Sequence, residues 1–130
     1  MNYSLDLAIP SSTPASAPVV EEIELPKGVI TDVEIDLYAG HHGLAKVRVV
    51  HNEFQIYPSN PDAWYSGEDV TIAFTDRYSL PEAWNYVTFE GYNEDTVNQH
   101  GAALRLTVEE KLPQGLQSGW SKFIAALREV

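Results

Sequence analysis

Between Val29 and Thr75, apolar and polar residues alternate in four short runs separated by turn chemistry. The runs are Val33, Ile35, Leu37; Ala45, Val47, Val49; Phe54, Ile56; and Val70, Ile72, Phe74. A period of two places each apolar set on one face of a strand and the intervening polar residues on the other. Tyr3, Leu5, Leu7 and Ile9 repeat the pattern near the N-terminus, and Val19 to Leu25 gives a further strand bearing Glu21, Glu22 and Glu24. Trp84 to Tyr92 is crowded with aromatic residues, and Leu104, Leu106 and Val108 supply the last strand. About eight strands result, the number a jelly roll uses, with other sandwich topologies open.

The connections carry equally local signals. Pro10 ends the first strand and opens a Pro/Ser/Ala linker. Pro26-Lys27-Gly28 reads as a turn, because proline presets its φ and glycine tolerates a positive one. His51-Asn52-Glu53 reads as a tight hairpin connection. Pro58 to Gly67 is a long loop shaped by two prolines, with Trp64 and Tyr65 at its tip. Asp76 to Ala83 reads as a connection broken by Pro81.

After Pro113 the period changes. Leu116, Trp120, Phe123, Ile124 and Leu127 form one helical stripe, with Ser118 available as an N-cap. The fold expected is an all-β antiparallel β-sandwich of jelly-roll type with a C-terminal amphipathic α-helix. Three parts follow: a strand or arm with linker (1–18), a β-sandwich (19–109) and the helix (110–130). The N-terminal strand pairs within its own domain or adds to a neighbour, and the helix covers its own sheet or docks elsewhere.

Composition narrows the function classes. The 130 residues suit one domain with a proper core. Eight basic against 19 acidic residues give a net charge of −11, which repels nucleic-acid phosphate and anionic membranes. No cysteine is present, so disulfides and thiolate chemistry are excluded. The first sixteen residues lack the basic and apolar regions of a signal peptide, which suits cytoplasmic synthesis. No apolar run reaches the length of a membrane span.

Candidate chemistry is sparse. Asp32, Glu34 and Asp36 share a strand face about 7 Å apart, an arrangement too straight to wrap calcium. His41 and His42 are adjacent and point apart in extended backbone, without the three convergent ligands a catalytic zinc needs. No nucleophile elbow, phosphate loop or zinc-protease helix motif occurs. The expectation is a non-enzyme without catalytic residue, metal or cofactor.

Three stretches, LPKGVITDVEID, FQIYPSNPDAWYSGED and FEGYNEDTVNQHGAALRLTV, resemble small jelly-roll virion accessory proteins of tailed phages. These are the capsid-decoration or head-fibre type, and the resemblance spans roughly Val20 to Val108. It implies a non-enzymatic structural protein of the virion, synthesised in the host cytoplasm. Such a protein self-associates as a trimer or higher oligomer on capsid protein. Its contacts would come from Tyr3, Leu5 and Leu7, from Trp64 and Tyr65, and from Trp120, Phe123, Ile124 and Leu127. The rival reading is a carbohydrate-binding β-sandwich, in which Tyr57, Trp64, Tyr65 and Trp84 stack on sugar rings. Placement discriminates the two: solvent-facing aromatics in one plane favour sugar, and aromatics buried between chains favour assembly.

Overall fold

A computed structural model describes residues 1–110. The C-terminal stripe, with Trp120, Phe123, Ile124 and Leu127, lies outside the described residues.

Among the described residues the chain forms seven strands: β1 (Asn2–Ile9), β2 (Val19–Leu37), β3 (Ala45–His51), β4 (Phe54–Tyr57), β5 (Tyr65–Ser66), β6 (Val70–Asn93) and β7 (His100–Glu110). They make an antiparallel sheet in the order β1-β7-β2-β6-β3-β4, with β5 also paired to β3. The expected eight short strands are corrected by two fusions and one addition. Val19–Leu25 and the strand from Val29 are one strand, β2, and the runs around Phe74 and Phe89 are one strand, β6. Tyr65–Ser66 adds a short strand inside the expected loop.

Both fusions occur where proline suggested a break. Pro26 pairs with Trp84 and Gly28 with Leu80, so Lys27 stands opposite Pro81, Glu82 and Ala83. The strands bulge there rather than end, and a bulge accommodates a proline that has no ladder hydrogen to give. Asn85, fully buried, holds the bulge: its Oδ1 accepts from Glu82 N–H (3.2 Å), and its Nδ2 donates to Glu82 O (2.9 Å) and Leu25 O (3.3 Å). A second bulge sets Thr31 opposite Asp76 and Arg77. Each irregularity shifts the side-chain phase by one. The buried apolar side chains of β2 therefore run Leu25, then Ile30, then Val33, Ile35 and Leu37, still on one face.

The N-terminal half of β2 pairs with the C-terminal half of β6, while its C-terminal half lies between β6 and β7. The acidic row of β2 does not meet β3. Glu34 and Asp36 face Arg105 of β7, while Lys46 and Arg48 of β3 meet Glu94 and Glu90. β1 pairs with β7 of its own chain along its whole length and forms one edge of the sheet.

The core is aliphatic around Phe89, with Leu7, Ile9, Leu25, Ile35, Leu80 and Leu104 all 3% exposed or less. At Gly91 a Cβ would sit 2.7 Å from Ile9 Cδ1 and 2.8 Å from Leu7 Cδ2. The glycine admits the β1 side chains against β6, which is not hydrogen-bonded to β1. Leu7 is therefore core, whereas Tyr3 and Leu5 are half-buried against it.

Candidate ligand-binding cleft

The tight turn after β3 is where the cleft begins. Asn52 and Glu53 have φ of 46° and 74°, the left-handed pair a two-residue hairpin turn requires. β4 then returns beside β3, and the chain continues into the 58–64 loop. One side chain shapes that loop: Gln55 Nε2 lies 2.7 Å from Pro58 O, 3.0 Å from Asn60 O and 2.9 Å from Ala63 O. Its Oε1 accepts from Arg48, whose guanidinium grips Glu90 at 2.9 and 2.8 Å and lies 4.2 Å from the Trp64 ring centre. A loop held by so many contacts presents a fixed surface.

Beneath it opens a cleft of about 490 Å³. Tyr57 from β4, Tyr65 from β5, and Phe74 and Tyr78 from β6 provide its aromatic lining, with Ser59, Asn60, Thr75 and Asp76 as polar residues. The aromatic rings are mutually braced. Tyr57 meets Phe74 and Tyr78 at centroid distances of 5.1 and 6.3 Å, both in edge-on geometry.

Asp76 is the telling residue. In β6 the positions Ile72, Phe74, Asp76, Tyr78 and Leu80 share one face, and every member except Asp76 is apolar or aromatic. A carboxylate on a core-facing row is costly unless it is hydrogen-bonded or reaches solvent. Tyr57 donates its hydroxyl to Asp76 Oδ2 at 2.6 Å. Burial and the neighbouring Asp76 both push the Tyr57 hydroxyl well above the ordinary tyrosine range, so it remains a neutral donor. Burial likewise raises Tyr65 and Tyr78.

Tyr78 is fixed from behind. Its hydroxyl lies 2.6 Å from Nδ1 of His51, whose Nε2 is 3.2 Å from Asn85 Oδ1. Asn85 Oδ1 is an acceptor, so Nε2 carries a hydrogen, and in the neutral ring Nδ1 then accepts from Tyr78. The network runs from the β6 bulge to the cleft wall. It leaves the Tyr78 oxygen lone pairs and Asp76 Oδ1 without a hydrogen-bond donor among the described residues.

The aromatics expected to form one platform do not share a plane. Tyr57 and Tyr65 line the cleft, but Tyr57 is only 5% exposed. Trp64 lies against Arg48 and, edge-on at 4.7 Å, against Tyr92, so it is not a free loop tip. Trp84, 60% exposed, stands with Tyr86 on the opposite, outward face of β6. Alternation explains the separation: Trp84 is out of phase with the inward residues Asn85, Val87 and Phe89. Asp76 and Tyr78 fall outside the expected set because the expected strand ends before Asp76, whereas Phe74 lies within that strand.

The paired loop histidines also separate. His42 is exposed, 3.3 Å from Glu68, whereas His41 is fully buried beside the His100 ring at 4.9 Å between centroids. His41 Nε2 donates to Gly101 O at 2.7 Å, and its buried Nδ1 has no partner among the described residues. Burial, assisted by His100, holds His41 below the usual histidine range. The unfolded chain takes up this proton below about pH 6.5, where the folded chain resists it. Stability contributed by neutral His41 is therefore complete above that pH and declines as the pH falls below it. Asp95 adds a second, lower phase. Backbone N–H groups of Val97 and Asn98, then His100, hold its carboxyl below the usual range, so its contribution fades as pH falls through the ordinary carboxyl region. Urea titrations from pH 8 to pH 5 should give a falling midpoint, and His41→Gln should flatten it. An unchanged slope in that variant would assign the acid loss elsewhere.

No protein-family model matches the chain. No curated protein matches it either. Solved structures that resemble it include the secreted serine protease VesC from Vibrio cholerae, at a TM-score of 0.47 and 19% identity over 78% of this chain. That match spans 20% of the protease, so this chain corresponds to about a fifth of its length. Another is the Yersinia pseudotuberculosis-derived mitogen, at a TM-score of 0.43 and 11% identity, covering 88% of this chain and 91% of the mitogen.

Proposed function

We propose that the chain is a non-catalytic carbohydrate-binding module, built as a β-sandwich, whose site is the Tyr57–Tyr65–Phe74–Tyr78 cleft. The carrying observation is the convergence of four aromatic rings with Asp76 and Asn60 in one concavity. Sugar rings offer apolar C–H faces and a rim of hydroxyls. A pocket that recognises them supplies aromatic surface and a few fixed polar groups, which is this lining. The sandwich reading is supported by the approach of Leu7 and Ile9 of β1 to Gly91 of β6 across the core.

The test is a titration with neutral oligosaccharides followed by heteronuclear NMR. Resonances of residues 56–60, 65 and 74–78 should shift together and saturate. Tyr65→Ala should weaken binding by tenfold or more with a change in folding stability under about 1 kcal/mol, because Tyr65 is only partly buried. Saturable binding that is indifferent to Tyr65 would place the site elsewhere.

A second reading, a self-assembling virion component on capsid protein, is favoured by one observation. β1 is an edge strand eight residues long, and its far edge has no strand partner among the described residues. An open edge accepts another chain by β-augmentation. Light scattering distinguishes this reading: a molar mass of three or more chains supports assembly, and 14.5 kDa argues against it in free solution.

A further inference from the structure

We infer that the cleft selects a sugar bearing an ammonium group, a 2-amino-2-deoxy hexose unit, and seats that group at Asp76. The inference rests on the carbohydrate reading and specifies its ligand class. Among the described residues, Asp76 is the one carboxylate of the cleft lining, and no lysine, arginine or histidine lines it. Tyr57 occupies Oδ2 and leaves Oδ1 without a donor among the described residues. With His51 neutral, the Tyr78 hydroxyl gives its hydrogen to Nδ1 and presents acceptor lone pairs. Both open positions therefore call for hydrogens from the ligand.

An ammonium group supplies three donors and a positive charge. Four aromatic rings around a carboxylate also favour a cation, since ring faces attract positive charge. A uronic or sialic acid would meet the opposite field, with Asp76 in the cleft and a chain of net charge −11 around it. An N-acetylated sugar keeps one N–H donor but loses the charge. Stacking then remains and the ionic contribution vanishes.

The probes are the trimer of glucosamine, its fully N-acetylated form and trigalacturonate, titrated calorimetrically about one pH unit below the amine's pKa. The amino trimer should bind at least tenfold more tightly than the N-acetylated one, and trigalacturonate should give no saturable heat. Asp76→Asn keeps an oxygen for the Tyr57 hydroxyl and removes the charge, so it should bring the amino and N-acetylated trimers within about twofold. Raising salt from about 0.05 to 0.5 M should narrow the same ratio in the unmodified protein, a readout independent of how the variant folds. Equal or tighter binding of the N-acetylated trimer overturns the ammonium assignment and leaves the carbohydrate reading standing. If none of the three trimers binds, and neutral oligosaccharides also fail, both are overturned.

Discussion

Replacing Phe89 with alanine is expected to lower folding stability by about 3–5 kcal/mol, the largest single effect in the described chain. Phe89 lies on the inward face of β6, paired with Glu21 of β2 and Val49 of β3, and is 0% exposed. The cost has two parts: lost transfer of the ring out of water, and a cavity the backbone does not close. Phe89 belongs to a three-strand stretch of ladder, so collapse around the void would require three strands to move together. A domain of this size has about 5–15 kcal/mol in total, so the variant loses a large fraction. Urea unfolding should show a lower midpoint with an unchanged m value. A loss below about 1 kcal/mol would mean the ring is not the centre of the core.

Asn85→Ala is expected to cost about 3 kcal/mol for a different reason, because each buried polar group left unpaired costs roughly 1–3 kcal/mol. The side chain serves Glu82 N–H, Glu82 O, Leu25 O and the His51 ring. Leu25 O and the His51 ring meet Asn85 through buried hydrogen bonds and are left unpaired by truncation, whereas the Glu82 groups lie on an exposed residue. Truncation also frees His51, which positions the Tyr78 hydroxyl. Stability and ligand affinity should therefore fall together. Asn85→Asp retains the acceptor oxygen and removes both Nδ2 donations, so it tests which half of the amide matters. A stable Asn85→Ala protein with unaltered affinity would disconnect the bulge from the cleft.

Much of the fold was legible because period two is a local signal. Strand faces followed from runs such as Val33, Ile35, Leu37 and Val47, Val49, and the Asn52-Glu53 turn from the gap between runs. Strand continuity was not legible at Pro26 and Pro81. A proline breaks a ladder only if its missing hydrogen was needed, and at this bulge the Asn85 side chain supplies local hydrogen bonds instead. The phase slips, from Leu25 to Ile30 and from Ile30 to Val33, were visible in the sequence and are the signature of bulges within one strand.

The cleft was legible in part for the same reason. Tyr57 and Tyr65 stood out as aromatics near a loop, but Trp84 was grouped with them by residue type, although its phase puts it on the other face. Asp76 and Tyr78 were hidden by the assumed break. Carried through to Leu80, the alternation Ile72, Phe74, Asp76, Tyr78, Leu80 exposes one acid on an apolar row. Such a residue marks a site because burying its charge is unfavourable unless something meets it. Neighbouring strands were not legible at all: nothing local tells Glu34 and Asp36 that Arg105, about seventy residues away, stands beside them.

Carbohydrate binding by the aromatic cleft, as proposed, is read out by NMR titration of the full chain with oligosaccharides, compared with the same titration of Tyr65→Ala. Saturable shifts confined to residues 56–60, 65 and 74–78 are expected, with affinity weakened at least tenfold in the variant. Shifts that fail to appear for any neutral or amino oligosaccharide, or that fall on the outward Trp84–Tyr86 face, would contradict the proposal.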